Sequence, residues 1–117
     1  MAKRTETGDE QPLAEPVNMD KPIYTLSVAS ELLETHPRTL MMYEHLDMIK
    51  PLRTSTNRRR YSQRDLMKIR AIQYLTREHG VNLAGVRYIL PMLRTIRDNG
   101  LDSPDAIRSL DVSHLDV

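Results

Sequence analysis

Residues 25–61 read TLSVASELLETHPRTLMMYEHLDMIKPLRTSTNRRRY, and the order of features along this stretch decides the fold. Ser27 can cap a first short helix over residues 28–34, in which Val28, Ala29, Leu32 and Leu33 recur at helical spacing. Thr35, His36 and Pro37 break it, and Pro37 suits the first position of a second helix, where its missing N–H costs nothing. That helix runs to Leu46, with Leu40 and Tyr43 inward and Arg38, Thr39, Met42 and His45 nearer the outer face. Ile49–Arg53 and Arg59–Tyr61 then offer two short strands joined by the polar residues 54–58. A helix to brace, a helix to enter the major groove and a basic hairpin to grip phosphates is the order that a winged helix-turn-helix requires.

Downstream, Ser62 with Asp65 forms a capping-box start for a third helix, whose stripe of Leu66, Ile69, Ile72 and Leu75 continues until Gly80 ends it. Asn82 can cap a fourth helix carrying Leu83, Val86, Ile89, Leu90, Leu93 and Ile96; Pro91 inside it should kink or divide it. Asn99 and Gly100 stop the pattern, and Ser103 and Pro104 can start a last short helix over residues 104–110, with Ile107 and Leu110 on one side. Upstream, Pro12, Pro16 and Pro22 among scattered charges read as a disordered arm over residues 1–22. The expected class is therefore mainly α. A winged helix-turn-helix with a two-stranded wing and a shortened C-terminal helical region occupies residues 23–97, and a short helix with an acidic tail occupies residues 98–117.

The net charge of +1 over 117 residues conceals a segregation: residues 1–22 carry −2, residues 23–97 carry +7 and residues 98–117 carry −4. A basic centre between acidic ends suits a polyanionic partner, because counterion release from phosphates dominates nucleic-acid affinity. Cysteine, Phe and Trp are absent, so the core must come from Leu, Ile, Val, Met and Tyr, and disulfides and thiolate metal sites are excluded. No apolar run approaches the roughly 20 residues that span a bilayer, and the polar start lacks the apolar stretch of a secretory signal, which points to the cytosol and the nucleoid. No nucleophile–base constellation, phosphate loop or carboxylate pair suggests an enzyme. His36, His45, His79 and His114 lack metal-ligand spacing, so neither cofactor nor metal is expected.

Residues 50–64 carry Lys50, Arg53, Arg58, Arg59, Arg60 and Arg64 and no acid. Alone this could be a solvated turn; behind a helix-turn-helix it reads as a phosphate grip, for which Arg suits better than Lys. Arg38, in the first turn of the second helix, could reach guanine O6 and N7 or stand as an exposed charge. Met41, Met42 and Met48 are ordinarily core filler, although exposure at 41 or 42 would allow contact with a thymine methyl or a protein. Tyr24, Tyr43, Tyr61, Tyr74 and Tyr88 read as core rings with wet hydroxyls, Tyr43 being set apart for DNA. The tail from Pro91 to Val117 is either a cap that packs back on the domain or a docking segment.

The strings YTLSVASELLETHPRTLMMYE, IKP, RTSTNRRRYS and GVNLAGVRYIL, spread over residues 23–96, resemble the MerR family and within it the HspR-type heat-shock repressors. The resemblance implies a dimer that binds double-stranded promoter DNA. Arg38 and Thr39 would face base edges, with Met42 beside them. Tyr43 would reach the backbone, and Arg53, Arg59 and Arg60 would hold phosphates through a wing that also contains Arg58 and Tyr61. It further implies a DnaK-type chaperone as corepressor and action on RNA polymerase at the promoter. The sequence departs from the family pattern at Met41, where an Arg is usual, at Asp47, where Gly is usual, and at the wing tip, where Asn57 replaces Gly as the residue suited to a left-handed turn. The long helix of the usual antiparallel dimer coiled coil is also missing, so inverted-repeat half-sites about 34 Å apart and head-to-tail binding to direct repeats both stay open.

The reading is a cytosolic repressor of stress or chaperone genes that occludes a promoter. Its rivals are a phage-type excisionase or architectural DNA-bending protein, and an adaptor whose basic face binds an acidic protein.

Overall fold

Thr25 and Pro37 set the helix-turn-helix in place. In the computed structural model, which describes residues 18–110 with Val112 and Leu115, Thr25 rather than Ser27 caps the first helix, its Oγ1 accepting from Val28 N at 3.1 Å. Helix α1 therefore spans Leu26–Leu32, and its inward stripe is Leu26, Ala29, Ser30 and Leu33, while Val28 and Leu32 are exposed. The helix starts early because Tyr24–Thr25 form a strand, β1, that fixes the chain just before it. Glu34, at φ 51°, turns the chain out of α1. Helix α2 follows over Pro37–His45, with Pro37 in its first turn and His36 Nδ1 accepting from Arg38 N at 3.0 Å. Leu40 and Tyr43 are its buried residues, as their spacing predicts.

Strand β2 is only Leu52–Arg53, because Met48 and Ile49 are drawn into the core instead of extending it. Strand β3 is Arg59–Tyr61. The sheet has three strands, not two: β1 joins as an antiparallel outer strand in the order β1-β3-β2, pairing Tyr24 with Tyr61 and Thr25 with Arg60, while Leu52 pairs with Arg60 and Arg53 with Arg59. Asn57 takes φ 64° at the hairpin tip, the left-handed position expected of it.

Helix α3, Gln63–Gln73, opens with the capping box expected of Ser62 and Asp65 and continues as a π-helical turn over Tyr74–Glu78. Leu66, Ile69, Ile72 and Leu75 are all buried, and Gly80 closes the element at φ 63°. Helix α4, Leu83–Asp98, is capped by Asn82 and runs through Pro91 without dividing. Pro91 lies on the exposed side, where the carbonyl freed by its missing N–H can face solvent.

Residues 104–110 do not form the expected helix. Ser103 makes no cap, and a single 3-10 turn, Asp105–Ile107, follows Pro104. Beyond it Val112 and Leu115 are buried, and Arg94 Nη1 donates to the Leu115 carbonyl at 2.6 Å, so this segment packs back on the domain as a cap. Residues 1–17 of the expected arm lie outside the described residues, as do most of the tail positions after Leu110. The arm's last residues are tied down: Arg64 N donates to the Met19 carbonyl at 2.9 Å and its guanidinium pairs with Asp20 at 2.7 Å. The core runs from Ala29, Leu33 and Leu40 through Tyr61, Leu66, Ile69 and Ile72 to Val86, Leu90 and Leu93, so α3 is the spine against which both the helix pair and α4 are set.

Candidate nucleic-acid interface

Burial of Leu40 and Tyr43 leaves Arg38, Met41, Met42 and His45 exposed on α2, with Thr39 half-buried between the faces. Arg38 sits in the first turn and its side chain has no partner among the described residues. Met41 and Met42 are 41% and 43% exposed, which corrects their reading as core filler; Met48, at 6%, is core.

Hydrogen bonds within its own loop shape the hairpin tip. Thr54 N donates to the Arg58 carbonyl and Asn57 N to the Thr54 carbonyl, both at 2.8 Å, and Arg58 N donates to Thr54 Oγ1 at 3.1 Å. Arg58 is consequently held at the tip with an exposed side chain. Arg60 is half-buried, its Nη1 donating to the Arg59 carbonyl at 3.1 Å.

Arg53 and Arg59 are differently placed. Both guanidiniums converge on Glu44 of α2: Arg59 Nε lies 2.6 Å from Oε1, and Arg53 Nη2 lies 3.1 Å from Oε2. Arg53 Nη1 also donates to the Asn57 carbonyl at 3.3 Å. Burial pushes the Glu44 acid upward, but the hydrogen bonds from Arg59 and Arg53 outweigh it and hold the carboxyl below its ordinary range. The carboxylate thus joins the outer helix to both strands of the wing, across a groove lined by Met41, Glu44, His45, Arg53 and Arg59. Glu44 enters the sequence reading only as the end of the Tyr-Glu pair that closes the second helix, and no role is assigned to it there. The available signal is an acid on α2 immediately before an acid-free arginine hairpin, and the pairing itself needs the tertiary fold.

Two further expected residues are turned inward. Tyr61 is fully buried in the core, its hydroxyl without a hydrogen-bond partner among the described residues and its ionisation pushed up to about 12, chiefly by burial. Pairing of β3 with β1 places it under the sheet, which removes it from the outer surface of the wing. Tyr43 is 5% exposed and its ionisation is also raised by burial, so its ring serves the core. Tyr88 is the reverse correction, standing 72% exposed on α4.

The turn between α1 and α2 is braced from α3 and its π extension. Gln73 Nε2, buried, donates to the Leu33 carbonyl at 2.9 Å, Arg70 to the Leu32 carbonyl at 3.4 Å and Arg77 to the Glu34 carbonyl at 3.3 Å. These donors satisfy carbonyls left open at the C-terminus of α1. They fix the angle at which α2 leaves the turn.

A short helix pair with a basic antiparallel hairpin beside it defines a winged helix-turn-helix protein. Residues 24–93 match the MerR HTH family of regulatory proteins, and the chain belongs to that family. It is 36% identical over 92 residues to the heat shock protein HspR of Streptomyces coelicolor, covering 79% of this chain and 61% of HspR. It is 31% identical over 71 residues to the HTH-type transcriptional regulator GlnR of Bacillus anthracis and to that of Bacillus cereus, covering 61% of this chain and 54% of GlnR in each case. The chain therefore spans only about half to three-fifths of the length of these relatives. Among the described residues no helix is long and apolar enough to cross a membrane.

Proposed function

We propose that this regulator is a sequence-specific repressor of stress or chaperone genes, working by covering promoter DNA against RNA polymerase in the cytosol, on the nucleoid. In this reading α2 enters the major groove. Arg38 reaches guanine edges, Thr39 and Met42 contact neighbouring bases, and Arg58 and Arg60 of the wing hold phosphates. The observation that carries it is the unpartnered, exposed Arg38 on the outer face of α2, with the basic hairpin held to that same helix through Glu44. Base readout and phosphate grip are then joined in one rigid unit. The likeness to the heat shock protein HspR supports heat-shock genes as targets. In the same reading a DnaK-type chaperone acts as corepressor and the protein sits as a dimer on a repeated half-site.

Selection of genomic fragments by the purified chain at near-physiological salt, beside an Arg38→Ala, Arg60→Ala double variant, tests the proposal. Enrichment of a repeat upstream of chaperone genes, lost in the variant, is the expected result, and the orientation of the repeat reports the dimer geometry. Enrichment with strong bending and no promoter bias would favour an architectural role instead. Binding that shows no sequence preference would overturn the proposal.

A further inference from the structure

We propose that Glu44 is a specificity-determining residue that withholds Arg53 and Arg59 from phosphates. This rests on the reading of α2 and the wing as the DNA-binding surface. Four arginines lie on the hairpin, but they are not equivalent. Arg58 is exposed without a side-chain partner among the described residues, and Arg60 is bound only to a backbone carbonyl. Arg53 and Arg59 both close on one carboxylate, at 3.1 and 2.6 Å, and Glu44 and Arg59 are 22% and 20% exposed there. A charged acid on the outer half of a DNA-reading helix repels phosphate unless cations cover it. Here the cover comes from the wing itself. The carboxylate occupies the position that a phosphate would take between two guanidiniums, so any DNA that recruits those guanidiniums must first displace it. That cost weighs on complexes that rest on phosphate contacts alone, as random-sequence binding does, whereas at a matched site the base contacts of Arg38 and Met42 hold the duplex with the Glu44 pairs intact. Glu44 thereby lowers nonspecific affinity more than specific affinity.

The test is binding of a random-sequence duplex across about 50 to 200 mM salt, where each added phosphate contact steepens the log–log slope by about 0.9. Glu44→Gln keeps the shape and removes the charge. It should tighten random-duplex binding several-fold at low salt and steepen the slope by one to two such increments, about 0.9 to 1.8. It should also reduce enrichment of the selected genomic motif over random fragments. Adding Arg59→Gln to Glu44→Gln should take back up to one of those increments, about 0.9, leaving whatever Arg53 contributes. A second comparison covers the case in which Glu44→Gln does not fold. Arg58→Gln should flatten the parent slope by about 0.9, and Arg59→Gln should flatten it by less than half of that. Weaker random binding by folded Glu44→Gln at an unchanged slope, or equal slope losses at Arg58 and Arg59, would overturn the inference while leaving the DNA-binding reading intact. Parent protein that binds no duplex would overturn both.

Discussion

Between Leu26 and His45 the chain is held by burial: Ala29, Leu33, Leu40 and Tyr43 are inside and the turn is braced from beneath by Gln73. Between Leu52 and Arg60 no residue is buried, and the hairpin is shaped by strand pairing, tip hydrogen bonds and the two ion pairs to Glu44. The two halves of one surface therefore respond to different variables. Apolar burial is not subject to electrostatic screening, while ion pairs near the surface are screened by salt and end when the acid is protonated. A helix that reads bases gains from being fixed by packing. A hairpin that meets phosphates can be adjusted through charge, and the contrast places sensitivity to pH and salt in the wing rather than in the helix pair.

The strongest way to break this contrast is to cut the packed half. Leu40 is fully buried, so Leu40→Ala should cost about 2 to 5 kcal/mol by urea denaturation, in a domain whose total stability is of that same order. A loss well under 1 kcal/mol would show that α2 is not held by burial. Next in size is the junction at which the wing passes into the spine. Ser62→Ala removes the hydroxyl that accepts from Asp65 N at 3.0 Å and should cost about 1 kcal/mol in a thermal or urea melt.

Acid should then act on the wing and spare the helix pair. The folded-state acidity constant of Glu44 is depressed, so the stability it contributes is complete above the ordinary carboxylate range and is lost as pH falls through the lowered value. Amide hydrogen exchange of residues 52–60 should be constant from neutrality to about pH 5 and, once corrected for intrinsic acid dependence, should rise below about pH 4. Asp20, paired with Arg64, titrates in the same sense, so the same measurement on Glu44→Gln isolates the wing: its acid response there should vanish. Exchange in α2 that rises alongside the wing would erase the distinction. The smallest effect belongs to Tyr61, whose buried hydroxyl lacks a partner among the described residues; Tyr61→Phe should change stability by less than about 1 kcal/mol, with the sign favouring Phe. A larger loss would mean that this hydroxyl is bonded in solution.

Much of the architecture is legible along the chain because the interactions that set it span four residues or fewer. Pro37 in the first turn of α2, the box of Ser62 and Asp65, the Asn82 cap, the Asn57 tip and the Gly80 stop all appear where local chemistry puts them. Local rules also fail locally when a distant partner competes. Thr25 displaces Ser27 as a cap because β1 pairs with β3, and Pro104 begins a 3-10 turn instead of a helix in a segment that is packing back toward Leu115. The arginines of the wing are equally legible as a basic cluster, but their division into two held by Glu44 and two left for other partners is not.

Order and type of helices α1 to α4 and of hairpin strands β2 and β3, the basic hairpin behind two short helices and the identity of the outer helix face were thus determined by sequence alone, since caps, turns and periodicity act between near neighbours. Tertiary structure decided which tyrosines are core, that a third strand joins the wing, that the C-terminal segment closes over the domain and that one carboxylate engages two of four arginines. Those choices depend on groups that meet only after the chain has folded back on α3, where burial and charge pairing between distant residues outweigh local preference.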